Sequence, residues 1–106
     1  MLSKKKRVTK DLFASIMKNG QTIYGSFFMF KYLKQKDPQY AFVAPKSIAK
    51  KAIIRNGLRR KGYGALRLQV LPGCAGVFIY KKEGLKAGTK DIQKDLEFIL
   101  KKIKPL

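Results

Sequence analysis

PKSIAKKAIIRNGLRRKGYGAL, residues Pro45–Leu66, carries seven basic side chains (Lys46, Lys50, Lys51, Arg55, Arg59, Arg60 and Lys61) and no acid. No Asp or Glu occurs between Asp37 and Glu83. Ile48, Ala52 and Ile53 fall at helical spacing, so the stretch predicts a helix with one buried side and a cationic other side. Ser47 is its candidate cap, which places the helix at Ile48–Arg60. Gly57, Gly62 and Gly64 each cost about 1 kcal/mol relative to alanine in a helix interior, so propensity ends it near Gly62. Lys51, Arg55 and Arg59 stack as one ridge of like charges, which repel one another unless an anion lies along them.

Outward from this stretch the chain is well punctuated. Upstream, Thr9 suits a helix cap, Leu12, Phe13, Ile16 and Met17 form an apolar stripe, and Gly20 suits a left-handed stop. A first helix over Lys10–Lys18 follows, behind a basic arm over residues 1–8 that is expected to be loosely ordered. IYGSFFMFKYL, Ile23–Leu33, is aromatic-rich and reads as one strand. Its alternation sets Phe28, Phe30 and Tyr32 on one face and Phe27, Met29, Lys31 and Leu33 on the other. Tyr40–Ala44 reads as a second strand in a hairpin with the first, ended by Pro45. Downstream, Ala75–Tyr80 is a short apolar strand. Thr89 opens a last helix whose stripe is Ile92, Leu96, Ile99, Leu100 and Ile103, with Asp91 and Asp95 early and Lys101 and Lys102 late to suit the helix dipole. This gives a single small α+β domain over residues 1–106.

The composition narrows the partner. The 106 residues hold 25 basic and 6 acidic side chains, a formal net charge of +19. A folded chain keeps such an excess against its own repulsion when its partner is a polyanion, nucleic acid first and an anionic membrane surface second. No apolar run approaches the ~18 residues of a spanning helix, and no secretory signal is recognised behind the basic start. The single cysteine, Cys74, excludes an internal disulfide framework, fits a reducing cytoplasm and reads as a small buried or loop residue. With no histidine and six scattered carboxylates, the inventory argues against a self-sufficient enzyme.

RNA fits the side chains better than the rivals do. Arginines supply bidentate geometry for phosphates, and Asn56 both donates and accepts at a phosphate or base edge. Gly57 either marks a weak point in the helix or admits a close backbone. The aromatics Phe27, Phe28, Phe30 and Tyr32 offer a stacking platform for unpaired bases, although most must be core in so small a domain. Phe13 and Met17 are core by default. Three glycines weaken a membrane-lying amphipathic helix, and aromatic-rich strands suit a DNA-reading helix module poorly.

KSIAKKAIIRNGLRR resembles the signature block of the bacterial ribonuclease P protein subunit, in which a K-K-x-A-K-K-A-like lead-in precedes R-N-R-x-K-R-x-x-R-E. Arg55, Asn56, Arg59 (for Lys) and Arg60 fall on it. Arg7-Val8-Thr9 with Phe13, Ile16 and Gly20, the strands Phe27–Leu33, Tyr40–Ala44 and Val77–Lys81, and the helix Asp91–Leu100 agree with the family in order. The third signature residue is Gly57 rather than Arg, and Tyr63-Gly64 replace the terminal R-E. Ala65-Leu66-Arg67 align with the family's A-F-R, which implies a helix continuing to about Arg67.

The resemblance implies an α-β-β-β-α-β-α fold with a left-handed βαβ crossover (ribosomal protein S5 domain 2-like). It implies that Lys46, Lys50, Lys51, Arg55, Asn56, Arg59, Arg60 and Lys61 bind the catalytic ribonuclease P RNA. A cleft between the first helix and the sheet, with Phe13, Met17, Phe28 and Phe30 as its candidate residues, would hold the 5′ leader of precursor tRNA. The RNA subunit would carry the endonucleolytic chemistry and its Mg2+, leaving the protein no catalytic residue, no membrane partner and a cytoplasmic setting. The alternative is a small ribosomal or other structural RNA-binding protein.

Overall fold

The computed structural model describes residues 7–103. The first helix, α1, spans Lys10–Asn19, and Thr9 Oγ1 accepts the Leu12 N–H at 3.3 Å as its cap. It ends at Gly20 in extended rather than left-handed backbone. Glycine is needed there for space, since a Cβ would overlap the Ile16 carbonyl oxygen. Of the basic arm, Met1–Lys6 lie outside the described residues; Arg7 forms a parallel bridge to Tyr40 and Val8 packs under α1.

The aromatic stretch expected as one strand is two. β1 (Gln21–Tyr24) and β2 (Phe28–Lys34) form an antiparallel hairpin around a turn at 25–27. That turn is held from 69 residues away. Asp95 Oδ1 accepts the Ser26 N–H at 2.8 Å and Asp95 Oδ2 accepts the Phe27 N–H at 2.9 Å. Gly25 leaves room for the carboxylate, which a Cβ would meet at 2.6 Å. Asp95 is thus a buried structural anchor, deeper in its helix than the first turn where the dipole acts.

The hairpin expected between β2 and the next strand is also corrected. β3 (Gln39–Val43) pairs in parallel with β4 (Cys74–Tyr80), and β4 pairs antiparallel with β2, so the sheet order is β1-β2-β4-β3. β4 is buried along nearly its whole length, as a central strand covered on both faces must be. The β3–β4 crossover contains α2 (Ala52–Leu66), and a short 3-10 helix (Lys82–Lys86) leads into α3 (Thr89–Lys101). Gly88, not Thr89, stands at the cap of α3. The element order α-β-β-β-α-β-α is the one the resemblance implies.

Strand alternation then divides the molecule. Phe28, Phe30, Tyr32, Tyr40, Phe42, Phe78 and Tyr80 point to the face covered by α2 and α3, where Ile92, Leu96, Ile99, Leu100 and Ile103 complete the core. The Phe30 and Phe78 rings lie 4.3 Å apart by centroid, and a Cβ at Gly76 would overlap the Phe30 ring. On the opposite face, Ile16 of α1 packs on Ala75 and Val77 with Phe13, Leu33, Val43 and Ile79 around them. Cys74 is buried, donating to the Tyr40 hydroxyl at 3.3 Å, while that hydroxyl donates to the Pro72 carbonyl at 2.6 Å. Burial pushes its thiol up to about 11, which makes it a poor nucleophile at neutral pH. Burial likewise raises the Tyr40 and Tyr80 hydroxyls.

Candidate nucleic-acid interface

Helix α2 seats Leu58, Gly62, Ala65 and Leu66 on the core. The expected inward stripe was phased wrongly. Ile48 is partly buried before the helix begins, whereas Ala52 is exposed and Ile53 is 74% exposed. The reason is that residues 44–51 are not helical. A single turn, with Ile48 and Ala49 N–H groups donating to the Pro45 carbonyl, precedes a helix that starts at Ala52 without a side-chain cap. Ser47 therefore caps nothing. At the other end the helix runs through Gly62 and Gly64 to Leu66, as the family alignment implies and propensity alone does not.

Three attachments hold the helix against the body. The Tyr80 hydroxyl donates to the Leu58 carbonyl at 2.6 Å, inside the core. The Tyr63 ring meets Phe42 edge-on at 5.0 Å, and its hydroxyl accepts the Phe42 N–H at 3.3 Å. Gly62 lies on the Phe42 ring, where a Cβ would come within 2.6 Å. That close approach explains why a costly residue sits mid-helix.

Gly57 and Gly64 have no such reason inside the chain. Neither has a positive φ, and a Cβ on either would meet nothing within 4 Å. Both stand on the outer surface of α2. Replacing Gly57 by Ala should raise stability by about 1 kcal/mol, read as an upward shift of the urea midpoint. An unchanged midpoint would show that the helix is already frayed there.

The predicted RNA-binding residues separate into two groups. Lys46, Lys50, Lys51, Asn56, Arg59 and Arg60 are all exposed, along α2 and its lead-in. Arg60 has no hydrogen-bond or ion-pair partner among the described residues, and Arg59 donates to Asn56 Oδ1 at 2.5 Å. Asn56 and Arg59 stand between two open concavities. One of about 420 Å³ is lined with Arg60 and Tyr63, and one of about 230 Å³ reaches Phe42, Val43, Ala44 and Arg55. Arg55 and Lys61, in contrast, are half-buried with nitrogens on backbone carbonyls. Arg55 Nη1 donates to Ala49 (3.0 Å) and Lys50 (2.7 Å), and Lys61 Nζ donates to Ala87 (3.2 Å).

None of Lys46, Lys50, Lys51, Arg59 and Arg60 pairs with a carboxylate among the described residues; Lys101 and Glu97 form an i,i+4 ion pair on α3. Cations without counter-charges, spaced along a helix, form a surface for an anionic polymer. Tyr63 was not among the expected site residues. Its position four residues after Arg59, on the same side of α2, is the signal that would have found it.

The candidate cleft residues divide differently. Phe13 and Met17 lie on α1, partly buried, and the Met17 carbonyl accepts Lys31 Nζ at 3.2 Å. Phe28 and Phe30 are excluded from the cleft: both are fully buried, on the face of β2 turned away from α1. The same alternation turns Met29, Lys31 and Leu33 toward α1 instead. Among the described residues, no group of three or more His, Cys, Asp or Glu is placed to hold a metal ion, and no helix is long and apolar enough to cross a membrane.

Comparison with known proteins agrees with this geometry. A bacterial ribonuclease P protein structure from Thermotoga maritima superposes with a TM-score of 0.81 at 22% identity, covering 96% of this chain and 99% of that one. One from Staphylococcus aureus gives 0.76 at 21% identity, covering 92% and 94%. These establish the fold. The ribonuclease P protein component of a Nitratiruptor species is 33% identical over 98 residues, 91% of this chain and 89% of its own length. The family model for ribonuclease P matches residues 2–104. By fold, by relative and by a match over nearly its entire length, the chain belongs to the ribonuclease P protein family.

Proposed function

We propose that the chain is the protein component of a bacterial-type ribonuclease P, working in the cytoplasm. The observation that carries this reading is the acid-free surface of Lys46, Lys50, Lys51, Asn56, Arg59 and Arg60 in a chain of this family. That surface docks the catalytic RNA through its phosphates. The opposite face of the sheet, between α1 and Met29, Lys31 and Leu33, takes the single-stranded 5′ leader of precursor tRNA, with Phe13 and Met17 on its helical wall. Lys31 supplies a cation there and Met29 an adaptable apolar contact.

The described residues gather no ligand set for Mg2+. The ion is assigned to the RNA subunit, along with the cleavage chemistry. The chain contributes affinity and position. It neutralises phosphates where RNA approaches RNA, which lowers the Mg2+ that the assembly needs. Reconstitution with a bacterial ribonuclease P RNA tests this. At low Mg2+ the chain should increase cleavage of precursor tRNA over RNA alone, and the increase should shrink as Mg2+ rises. No gain at any Mg2+ concentration would leave a structural RNA-binding protein as the better reading.

A further inference from the structure

Arg55 occupies a place that looks like a phosphate contact, yet its guanidinium is turned back along the chain. Nη1 donates to two successive carbonyls, Ala49 at 3.0 Å and Lys50 at 2.7 Å. These carbonyls belong to the non-helical lead-in between β3 and α2, which bears Lys46, Lys50 and Lys51. One side of that lead-in is already fixed: Ala49 is buried, Ile48 packs against the core, and both their N–H groups reach Pro45. The other side, at Lys50 and Lys51, joins a helix whose first turn has neither an acid nor a capping side chain. A cation near a helix N-terminus is disfavoured by the dipole, so its bonds to carbonyl oxygens are what settle it there.

We infer that Arg55 is a positioning residue: it hooks the lead-in onto the first turn of α2, so that Lys50 and Lys51 are held in fixed register with Arg59 and Arg60. This rests on the reading of α2 as the RNA-docking helix. Without the hook the lysines remain, but the segment must be ordered when RNA binds.

The test is a double-mutant cycle on the full chain, measuring affinity for a bacterial ribonuclease P RNA transcript over a range of salt, with thermal unfolding in parallel. R55A should weaken binding about tenfold, the cost of ordering roughly one residue of backbone. K50A in the wild-type background should weaken binding and reduce the salt slope by about one unit. In the R55A background K50A should change little, because Lys50 is no longer presented. R55K, which keeps the charge but whose shorter side chain ends short of the Nη1 position, should group with R55A. If R55A does not fold, R55K and R55K/K50A complete the same cycle.

Additive effects with R55K close to wild type would make Arg55 a direct phosphate contact and overturn the inference. So would a lowered melting temperature with unchanged RNA affinity, which would leave Arg55 structural only. A wild-type chain that binds the transcript without salt dependence fails differently, because it removes the docking reading itself.

Discussion

Replacing Arg59 and Arg60 together by Glu should lower affinity for ribonuclease P RNA by about 3–4 kcal/mol and reduce the salt slope by about two units, with no loss of thermal stability. Both side chains are exposed, and both line the concavity they share with Asn56 and Tyr63. Each neutralised phosphate releases counterions, so its loss is seen in the slope as well as in the affinity. Reversal adds repulsion to the loss. Folding should be indifferent, because no core atom moves and acids placed among Lys50, Lys51 and Arg55 relieve like-charge crowding. A fall in affinity with an unchanged slope would mean that the two arginines act through shape rather than charge. An unchanged affinity would place the RNA elsewhere.

The second large effect is on stability and lies far from α2. Asp95→Ala should cost about 3 kcal/mol, lowering the melting temperature by roughly 10–20 °C. The carboxylate satisfies the Ser26 and Phe27 N–H groups in the turn between β1 and β2, and its removal leaves two partly buried donors unpaired. Asp95→Asn, which keeps one carbonyl acceptor and sets an amide against the other donor, should lose less than Ala. Gly25→Ala should resemble the Asp95 variants, because its methyl would displace the same carboxylate. Equal stability of wild type and Asp95→Ala would show that the turn is held by the strands alone.

Much of this molecule was legible in its sequence, for identifiable reasons. The cap at Thr9, the stripe of α3 and the alternation of β2 are local patterns, and the structure follows them. The misreadings are tertiary. The break between β1 and β2 depends on Asp95, which lies 68 positions along the chain from Phe27. β3 lies beside β4 rather than β2 because the crossover through α2 returns the chain between them, which no pattern in Tyr40–Ala44 records. Propensity ended α2 too early because it prices Gly62 without the Phe42 ring that requires it.

The candidate interface was legible as charge but not as geometry. The basic residues around α2 were evident, and so was the absence of acids. That Arg55 and Lys61 turn to backbone carbonyls, while Arg59 and Arg60 stay open, depends on where the lead-in and the loop before α3 lie. The aromatics were the weakest reading. Phe28 and Phe30 resembled stacking residues, but in a domain of this size the core claims them, and the half-open positions pass to Met29 and Lys31.

Cys74, the sole cysteine, is buried with a raised pKa, so a thiol introduced on the surface can be labelled selectively. A photo-crosslinker attached at Gly57→Cys, where a side chain meets open space, places a probe on the outer surface of α2. The same probe at Glu97→Cys sits on exposed α3. With bacterial ribonuclease P RNA, the α2 probe should crosslink to a discrete RNA segment and the α3 probe should not. Crosslinking from α3 with none from α2 would contradict α2 as the docking face.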